Sequence, residues 1–326
     1  MIPQILKYGI GINLPLHDFP RDIDLEPNDY IIRIKGSAKI VNQQNETQIV
    51  IPAKSSNLIE INLNSKSAAS SGNIAIFAGE NSNSIIIEKL NSDASSKLVA
   101  HNVKIFSDSN SEIKYITLQN LSKHTYSDID KSAELKFKSR IEWRDFHIGS
   151  KTGLIKSKSV LLEEKSSSEH SSIFFADDQN FDLHIQSIHK GRSTISNIFT
   201  RSVLDGRSKI IQNGLVKIEK TAGKSEGYQK SDSILLSEYA EVDPIPQLNI
   251  ENDDVKCGHG STIGRIGDDK IFYLMSRGLS YNDAYRKIVE GFFSPALDKI
   301  GDPELREEIS QIIDTKYQLN KKIIVE

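Results

Sequence analysis

Two side chains that can bind metal ions lie two residues apart near the C-terminal end of the sequence. Cys257 and His259 belong to the glycine-rich segment 253–264, and on an extended strand both would point to the same face. Sulfur is a soft ligand and imidazole nitrogen a borderline one, so the pair suits transition metals. Two ligands do not complete a tetrahedral site, and the others would come from another chain or from solvent. The alternative is a buried structural cysteine beside a hydrogen-bonded histidine.

Cys257 is the only cysteine among the 326 residues. An intrachain disulfide is therefore excluded. This chain alone also cannot build an all-cysteine zinc or iron–sulfur site. Any iron–sulfur cluster that uses Cys257 must be shared with a partner.

A second candidate for chemistry is the acidic pair Asp177 and Asp178. On a fold of stacked strands, two carboxyl groups can act as general acid and base on a polysaccharide. Adjacent residues of a strand point to opposite faces, however, so these two would need a turn or bulge to converge. A solvated turn over residues 176–180 is the plainer interpretation. The remaining histidines are scattered along the chain, so conventional evidence for an enzyme is thin.

The composition predicts a soluble protein without a polyanionic partner. Lys and Arg number 41 and Asp and Glu 44, which gives a net charge of -3. This balance predicts neither a nucleic-acid partner nor a membrane partner. No apolar run approaches the roughly 18 residues of a membrane-spanning helix, and the first residues lack the pattern of a secretory signal. We therefore expect a cytoplasmic location.

Residues 37–241 have the composition of a long series of strands. They contain 36 serines, and no proline occurs between positions 53 and 243. Proline cannot donate to a strand ladder, so its absence suits uninterrupted pairing. Short apolar clusters recur in this region and favour strands over the disorder that abundant serine alone would suggest. Taken one per unit, these clusters begin at positions 113, 135, 154, 173 and 195.

The clusters begin 19 to 22 residues apart, and a repeat of strands without helices predicts a stacked β-solenoid. The alternation of apolar and polar residues supports strands, since Phe181, Leu183 and Ile185 would fall on one face of a strand. An antiparallel sandwich is the competing fold, because its strands are also regularly spaced. Hairpin signals are few, Asn213 followed by Gly214 being the main one, and we therefore favour the solenoid.

The C-terminal residues change to a helical period. Ser280 with Asp283 resembles a capping box, and Asp302 before Pro303 is a second helix start. The apolar stripes behind these starts either pack on the solenoid end or on each other, or present one face to a partner. The fold class is therefore mainly β, a β-solenoid with a C-terminal α-helical cap. The predicted divisions are a lead-in over 1–52, a β-helix core over 53–266 and a helical domain over 267–326.

Four segments between residues 191 and 293 form a specific combination. They are Gly191-Arg192-Ser193 with Ile198-Phe199-Thr200-Arg201-Ser202-Val203-Leu204-Asp205; Ser233-Ile234-Leu235-Leu236-Ser237-Glu238-Tyr239-Ala240 with Pro246-Gln247-Leu248-Asn249-Ile250; residues 253–264; and Ile271-Phe272-Tyr273-Leu274-Met275-Ser276-Arg277-Gly278-Leu279-Ser280. In this order they resemble the SufB/SufD family of iron–sulfur cluster assembly scaffold proteins. The first half of the chain is similar only in character. The resemblance implies a right-handed parallel β-helix followed by C-terminal helices.

Within that family the chain is most similar to SufD. Cys257-Gly258-His259-Gly260 resembles the SufD version of the segment, and cysteines are scarce. The resemblance implies a non-enzymatic subunit that pairs through its β-helix with SufB, or with a second copy of itself. His259 matches the histidine at the cluster-forming interface of the family, and Cys257 its neighbouring cysteine. The implied cofactor is a transient iron–sulfur cluster shared with the partner chain.

The resemblance also implies that the C-terminal helices dock SufC, an ABC-type ATPase. The predicted dock spans about residues 268 to 293. The residues that we assign to it are Tyr273, Arg277, Gly278, Tyr285, Phe292 and Phe293. Two alternatives stay open: a β-helix carbohydrate-active enzyme that uses Asp177 and Asp178, and a purely structural solenoid.

Overall fold

The computed structural model describes residues 26–27, 30–43 and 46–322. Within them the chain forms strands up to residue 265 and helices from residue 268 onward. The predicted class is confirmed: the fold is a β-solenoid of about 8 turns followed by helices. The lead-in lies partly outside the described residues, and the domain boundaries stay predictions.

The strands are numbered in chain order, and most of those from β5 onward are ten residues long. They are β1 (Glu26–Pro27), β2 (Tyr30–Lys35), β3 (Lys39–Gln43), β4 (Glu46–Ile51), β5 (Ser56–Ser65), β6 (Ala69–Ala78), β7 (Asn83–Ser92), β8 (Leu98–Ser107), β9 (Glu112–Asn120), β10 (Tyr126–Leu135), β11 (Arg140–His147), β12 (Thr152–Leu161), β13 (Ser167–Asp177), β14 (Asn180–His189), β15 (Ile195–Asp205), β16 (Lys209–Ile218), β17 (Glu226–Leu235), β18 (Glu241–Ile250) and β19 (Lys256–Arg265).

The strands form two sheets that run along the solenoid. Even-numbered strands from β4 to β18 pair in parallel in one sheet, and odd-numbered strands from β5 to β19 in the other. Register pairs such as Tyr126 with Thr152 and Lys209 with Glu241 show that one coil takes 26 to 32 residues. The predicted repeat near 20 residues is therefore wrong. The apolar clusters that defined it came from both sheets, so their spacing mixed half coils with whole coils.

One corner of the coil is built in the same way seven times in the described residues. A residue with positive φ precedes a serine or threonine, and its backbone N–H donates to a carbonyl of the next coil, as from Lys165 to Arg192. At five of these corners the hydroxyl donates to the carbonyl three residues earlier, as from Ser166 to Glu163. The abundant serine therefore serves the turns. The positive-φ residues are Lys54, Asn81, Asn110, Lys138, Lys165, Ser193 and Lys224.

The interior of the solenoid is mostly apolar, and it also encloses charged side chains. Lys131 and Asp145 form an ion pair there that is almost wholly buried. The Lys131 ammonium lies 4.9 Å from the centre of the Trp143 ring and donates to the Thr117 hydroxyl at 2.9 Å. A buried charge is tolerated only when it is paired and hydrogen-bonded in this way.

Two strands near the N-terminal end, β2 and β3, run against the direction of the strands with which they pair. β2 pairs antiparallel with β5, and β3 pairs antiparallel with β4. Both carry basic side chains, Arg33 and Lys35 on β2 and Lys39 on β3. The N-terminal end of the solenoid therefore differs from the C-terminal end, where the strands stay parallel.

Three helices follow the last strand: α1 (Asp268–Ser276), α2 (Tyr281–Leu297) and α3 (Pro303–Lys322). Both predicted helix starts are confirmed. The Ser280 hydroxyl accepts the Asp283 N–H, and the Asp302 carboxylate accepts the Leu305 N–H at 2.9 Å. No helix among the described residues has the length and apolar character to span a membrane.

The helices pack on the outer face of the odd-numbered sheet and leave the last coil uncovered. Phe175 and Val203 of the sheet share a buried cluster with Phe293 of α2 and Ile309 of α3. Lys316 of α3 also donates to strand-end carbonyls, at 2.6 Å in the case of Phe175. Of the alternatives for the apolar stripes, the helices thus pack on one another and on the side of the sheet, and not on the solenoid end.

Candidate functional site

The last coil forms an end of the solenoid that we call the open end, made of β18 and β19. In the described part of the chain, β18 pairs only with β16, and β19 only with β17. Most residues of β19 are exposed. An unpaired strand edge presents N–H and C=O groups that can pair with a strand of another chain.

The open edge of β18 is poor in hydrogen-bond donors. The Glu241 N–H donates to the Ser208 carbonyl, on the side of β16. Successive residues of a strand direct their backbone groups alternately to either side, so the even-numbered residues of β18 face outward. Two of these are Pro244 and Pro246, which have no N–H. Because an N–H at these positions would point away from β16, the prolines remove no hydrogen bond within the solenoid. They also prevent a further strand from pairing with this edge.

The open edge of β19 keeps its donors. The Lys256 N–H donates to the Ser225 carbonyl, on the side of β17, so the odd-numbered residues of β19 face outward. They include Cys257, His259 and Ser261, and β19 contains no proline. The edge that can accept a further strand is therefore the one that carries both predicted metal ligands.

The side chains of Cys257 and His259 lie on the same face of β19. Cys257 stands beside Gly227 in the register and His259 beside Gln229, which is buried inside the solenoid. Cys257 is half-buried and packs against the apolar residues of the interior. His259 is exposed because no further described coil covers it. Below it a cavity of about 30 Å³ between the last coils has Ser261 in its lining.

Burial raises the pKa of the Cys257 thiol, and a hydrogen bond from the Gly227 backbone N–H partly offsets this effect. The thiol is therefore protonated at neutral pH and must release its proton when it binds a metal. No group of three or more His, Cys, Asp or Glu side chains able to hold a metal occurs in the described residues. Cys257 and His259 can thus supply part of a site, whose other ligands must come from elsewhere.

A second exposed surface lies on α1 and at the start of α2, and we call it the aromatic surface. The side chains share high exposure: Phe272 74%, Tyr273 57%, Tyr281 54% and Met275 43%. The Arg277 guanidinium lies 5.4 Å from the centre of the Tyr273 ring. Tyr273 and Arg277, which the sequence assigns to the predicted ATPase dock, lie on this surface, and the exposed Phe272, Met275 and Tyr281 were not predicted from the sequence. The large apolar residues on the polar side of α1 were the signal that would have found Phe272 and Met275.

The other residues assigned to the dock differ in how far their side chains are buried. Phe293 is fully buried, and its ring meets that of Phe175 edge-on at 6.4 Å, so this side chain packs inside the chain and is not exposed to a partner. Neighbouring helix residues differ by about 100° around the axis, which turns Phe293 into the core while Phe292 stays half-buried. Tyr285 is also half-buried, and Gly278 has φ +93° just after the end of α1.

Asp177 and Asp178 lie at the corner between β13 and β14. Asp178 has a positive φ of 50°, and its carboxylate accepts the Arg207 N–H at 2.7 Å. Burial is the largest cause that raises the pKa of the Asp177 carboxyl, and the negative charges of Asp178 and Asp205 raise it further. The carboxylate of Asp178 thus supports a turn, as the plainer interpretation of the sequence predicts.

The chain belongs to the SufBD family of iron–sulfur cluster assembly proteins. The family described as "SUF system FeS cluster assembly, SufBD core domain" matches residues 61–292, which is more than half of the chain. This match spans most of the described solenoid together with α1 and most of α2.

Curated relatives carry the same family description. The chain is 31% identical over 217 residues to an iron–sulfur cluster assembly SufBD family protein of Mycobacterium tuberculosis, covering 66% of this chain and 26% of that protein. It is 28% identical over 222 residues to one of Staphylococcus epidermidis, covering 68% and 47%. The matched region thus spans between about a quarter and about half the length of these relatives.

Proposed function

We propose that the chain is a SufD-like scaffold subunit of an iron–sulfur cluster assembly complex. It pairs through its open end with a cysteine-bearing SufB-like chain, or with a second copy of itself. A transient iron–sulfur cluster forms at this junction, and His259 and Cys257 are the ligands from this chain. The subunit works in the cytoplasm and catalyses no reaction itself.

One observation carries this proposal: the free edge of β19 and the two candidate ligands coincide. A strand added there would accept hydrogen bonds from the backbone of Cys257, His259 and Ser261. Its backbone would then lie about 4.8 Å from that of β19, which places side chains of the partner next to the imidazole. Imidazole ligation is suited to a scaffold, because a scaffold must release its cluster.

The aromatic surface is the proposed dock for a SufC-like ABC ATPase. Its aromatic and methionine side chains are exposed in this chain. Contiguous exposed apolar side chains mark interaction sites, and aromatic residues are enriched among the residues that dominate binding energy. The surface belongs to helices packed against the solenoid, so movement of the ATPase would be transmitted to the open end.

The test of this function uses the intact complex. The tagged chain is co-expressed with a SufB-like and a SufC-like protein, purified without oxygen, and assayed for iron and acid-labile sulfide. We expect the His259→Ala complex to stay assembled but to hold at least about tenfold less cluster, since loss of even a second-shell partner of a metal ligand typically costs 10–100-fold in metal affinity and His259 is proposed as a direct ligand. His124→Ala, at an exposed position away from the open end, is the matched control.

Three outcomes separate the parts of this function. Equal iron and sulfide in the His259→Ala complex would refute the ligand assignment. Recovery of the ATPase with a homodimer would identify a second copy as the partner. Failure to recover either protein would refute the scaffold function and favour a purely structural solenoid.

A further inference from the structure

A groove with a volume of about 150 Å³ lies where the C-terminal part of α2 crosses the odd-numbered sheet. Its strand side is formed by Phe199 and Arg201 of β15 and by Lys230 and Asp232 of β17. Its other side includes Pro295 of α2. The groove contains none of the residues assigned above to the cluster or to the ATPase dock.

Arg201 is the most informative residue of the groove. Its guanidinium is half-buried, lies 5.5 Å from the centre of the Phe292 ring and donates one hydrogen bond, to the Phe292 carbonyl at 2.7 Å. It forms no ion pair with a carboxylate among the described residues. Because a guanidinium carries five N–H donors, Arg201 keeps donors for a ligand in the groove.

The remaining charges leave the groove positive. Lys230 pairs with Asp232 at 3.1 Å, which cancels one charge. Lys299 pairs with Glu169 at 2.7 Å, but the same carboxylate also pairs with Arg144 at 3.0 Å. Three cationic side chains, Arg201, Lys230 and Lys299, therefore line the groove with a single carboxylate, that of Asp232. The carboxylate of Glu169 lies outside the lining and is shared with Arg144.

A simpler explanation covers only part of these facts. Cations near the C-terminus of a helix stabilise its dipole, and this accounts for the bond from Arg201 to α2 and for the position of Lys299. It does not account for Lys230, whose ion pair lies on β17 itself. Nor does it account for the groove, whose volume is about five times the roughly 30 Å³ that one water occupies in the liquid.

We propose that this groove binds a small phosphate-bearing anion. Arg201 supplies the planar fork that matches phosphate oxygens, and Lys230 and Lys299 supply flanking charge. Phe199 gives the groove an apolar wall beside the Lys299 ammonium, at 5.4 Å. An anion held there would contact both the sheet and α2, so its binding would strengthen the attachment of the helices to the solenoid.

The test is calorimetric titration of the full chain with inorganic phosphate and with pyrophosphate at low ionic strength. We expect saturable binding, and about tenfold weaker binding in Arg201→Lys, which keeps the charge but loses the fork. The ion pair of Lys230 lies within β17, so Lys230→Gln leaves the hydrogen bond from Arg201 to α2 in place and separates ligand binding from that helix contact. The affinity of this variant for the anion should fall about fivefold.

The control is Lys104→Gln, which makes the same change of charge at an exposed position of the opposite sheet and should leave the affinity unchanged. Equal weakening in Lys104→Gln and Lys230→Gln would show general charge screening and overturn the site. Absence of saturable binding for both phosphate compounds would overturn it as well. Neither result bears on cluster assembly, which uses the open end.

Discussion

Three histidines inside the solenoid are held in their neutral form. Burial lowers the pKa of His147 and of His189 to about 4 and that of His170 to about 3. His147 stacks on Phe174 at 4.8 Å, and neither of its ring nitrogens has a hydrogen-bond partner in the described structure. In the unfolded chain such residues titrate near 6.5. As the pH falls below that value, the unfolded chain takes up protons that the folded chain cannot.

We therefore expect the free energy of unfolding to be undiminished by these histidines above about pH 6.5, and to fall as the pH is lowered from there towards about 4. The loss is at most ~1.4 kcal/mol per pH unit for each histidine. His147→Phe keeps a ring against Phe174 and removes one titrating group. The number of protons taken up on unfolding, which sets the slope of the unfolding free energy with pH, should therefore fall by about one. Urea unfolding between pH 7.5 and 5 measures this slope.

The exposed His124 is the control for that experiment, because His124→Phe makes the same substitution on the surface of the solenoid. An unchanged slope in His147→Phe would show that His147 takes up its proton in the folded chain. The chain would then have to accommodate an imidazolium among apolar side chains.

At the same scale, the sequence sufficed to place Cys257 and His259 on one face of a strand, because the alternation of side chains along a strand is local. Their role as metal ligands stays a prediction. The sequence did not distinguish Phe292 from Phe293, because α2 has apolar residues at both positions and only the packing decides which ring turns inward. The groove at Arg201 was invisible, since its walls come from two strands and a helix that are distant in the chain.

Among the elements, α1 carries two highly exposed aromatic side chains, Phe272 at 74% and Tyr273 at 57%. Tyr273→Asp introduces a charge at a side chain that is 57% exposed, so the chain itself should stay as stable as before. Binding of a SufC-like ATPase should weaken at least about tenfold, because a charge in the core of an interface is costly. Titration of the purified ATPase against the chain measures this effect.

The matched variant is Thr315→Asp, which places the same charge at an exposed position of α3 outside the aromatic surface. Equal affinity for the ATPase in both variants would show that the aromatic surface is not the dock. Reduced stability of Tyr273→Asp would instead place Tyr273 in the packing of the helices.

The sequence predicted the class of the elements better than their repeat. Helix starts were found because capping chemistry is local, as at Ser280 and Asp302. The coil length was missed because apolar clusters occur in both sheets. The left-handed corners carry the true period, since Asn81, Asn110 and Lys138 each precede a buried serine and are spaced like whole coils. Lysine and asparagine before serine look like ordinary surface residues, so this period becomes evident only from φ angles.

For the whole molecule, the decisive feature is the difference between the two strands of the open end. Ser261→Pro would give β19 the same defect that Pro244 and Pro246 give β18, because the Ser261 N–H faces outward. We expect this variant to stay folded, and we expect its affinity for the partner chain to fall by about tenfold or more. Light scattering of the purified chain, alone and with a SufB-like protein, measures the pairing.

Ser261→Ala is the matched control, since it keeps the backbone N–H while removing the hydroxyl. Pairing of Ser261→Pro at wild-type strength would exclude the edge of β19 as the junction and leave only side-chain contacts to hold the partner.

The reversed strands at the N-terminal end set a limit on size. A solenoid whose two ends matched could add subunits head to tail without limit and form a filament. Here β2 and β3 run antiparallel to their neighbours and carry Arg33, Lys35 and Lys39, and charged residues on such edges discourage further pairing. If two chains join through their β19 edges as proposed, each uses the parallel end of the described solenoid and leaves its basic, antiparallel end facing outward. Such a pair would not extend further, and its stoichiometry would be fixed at two.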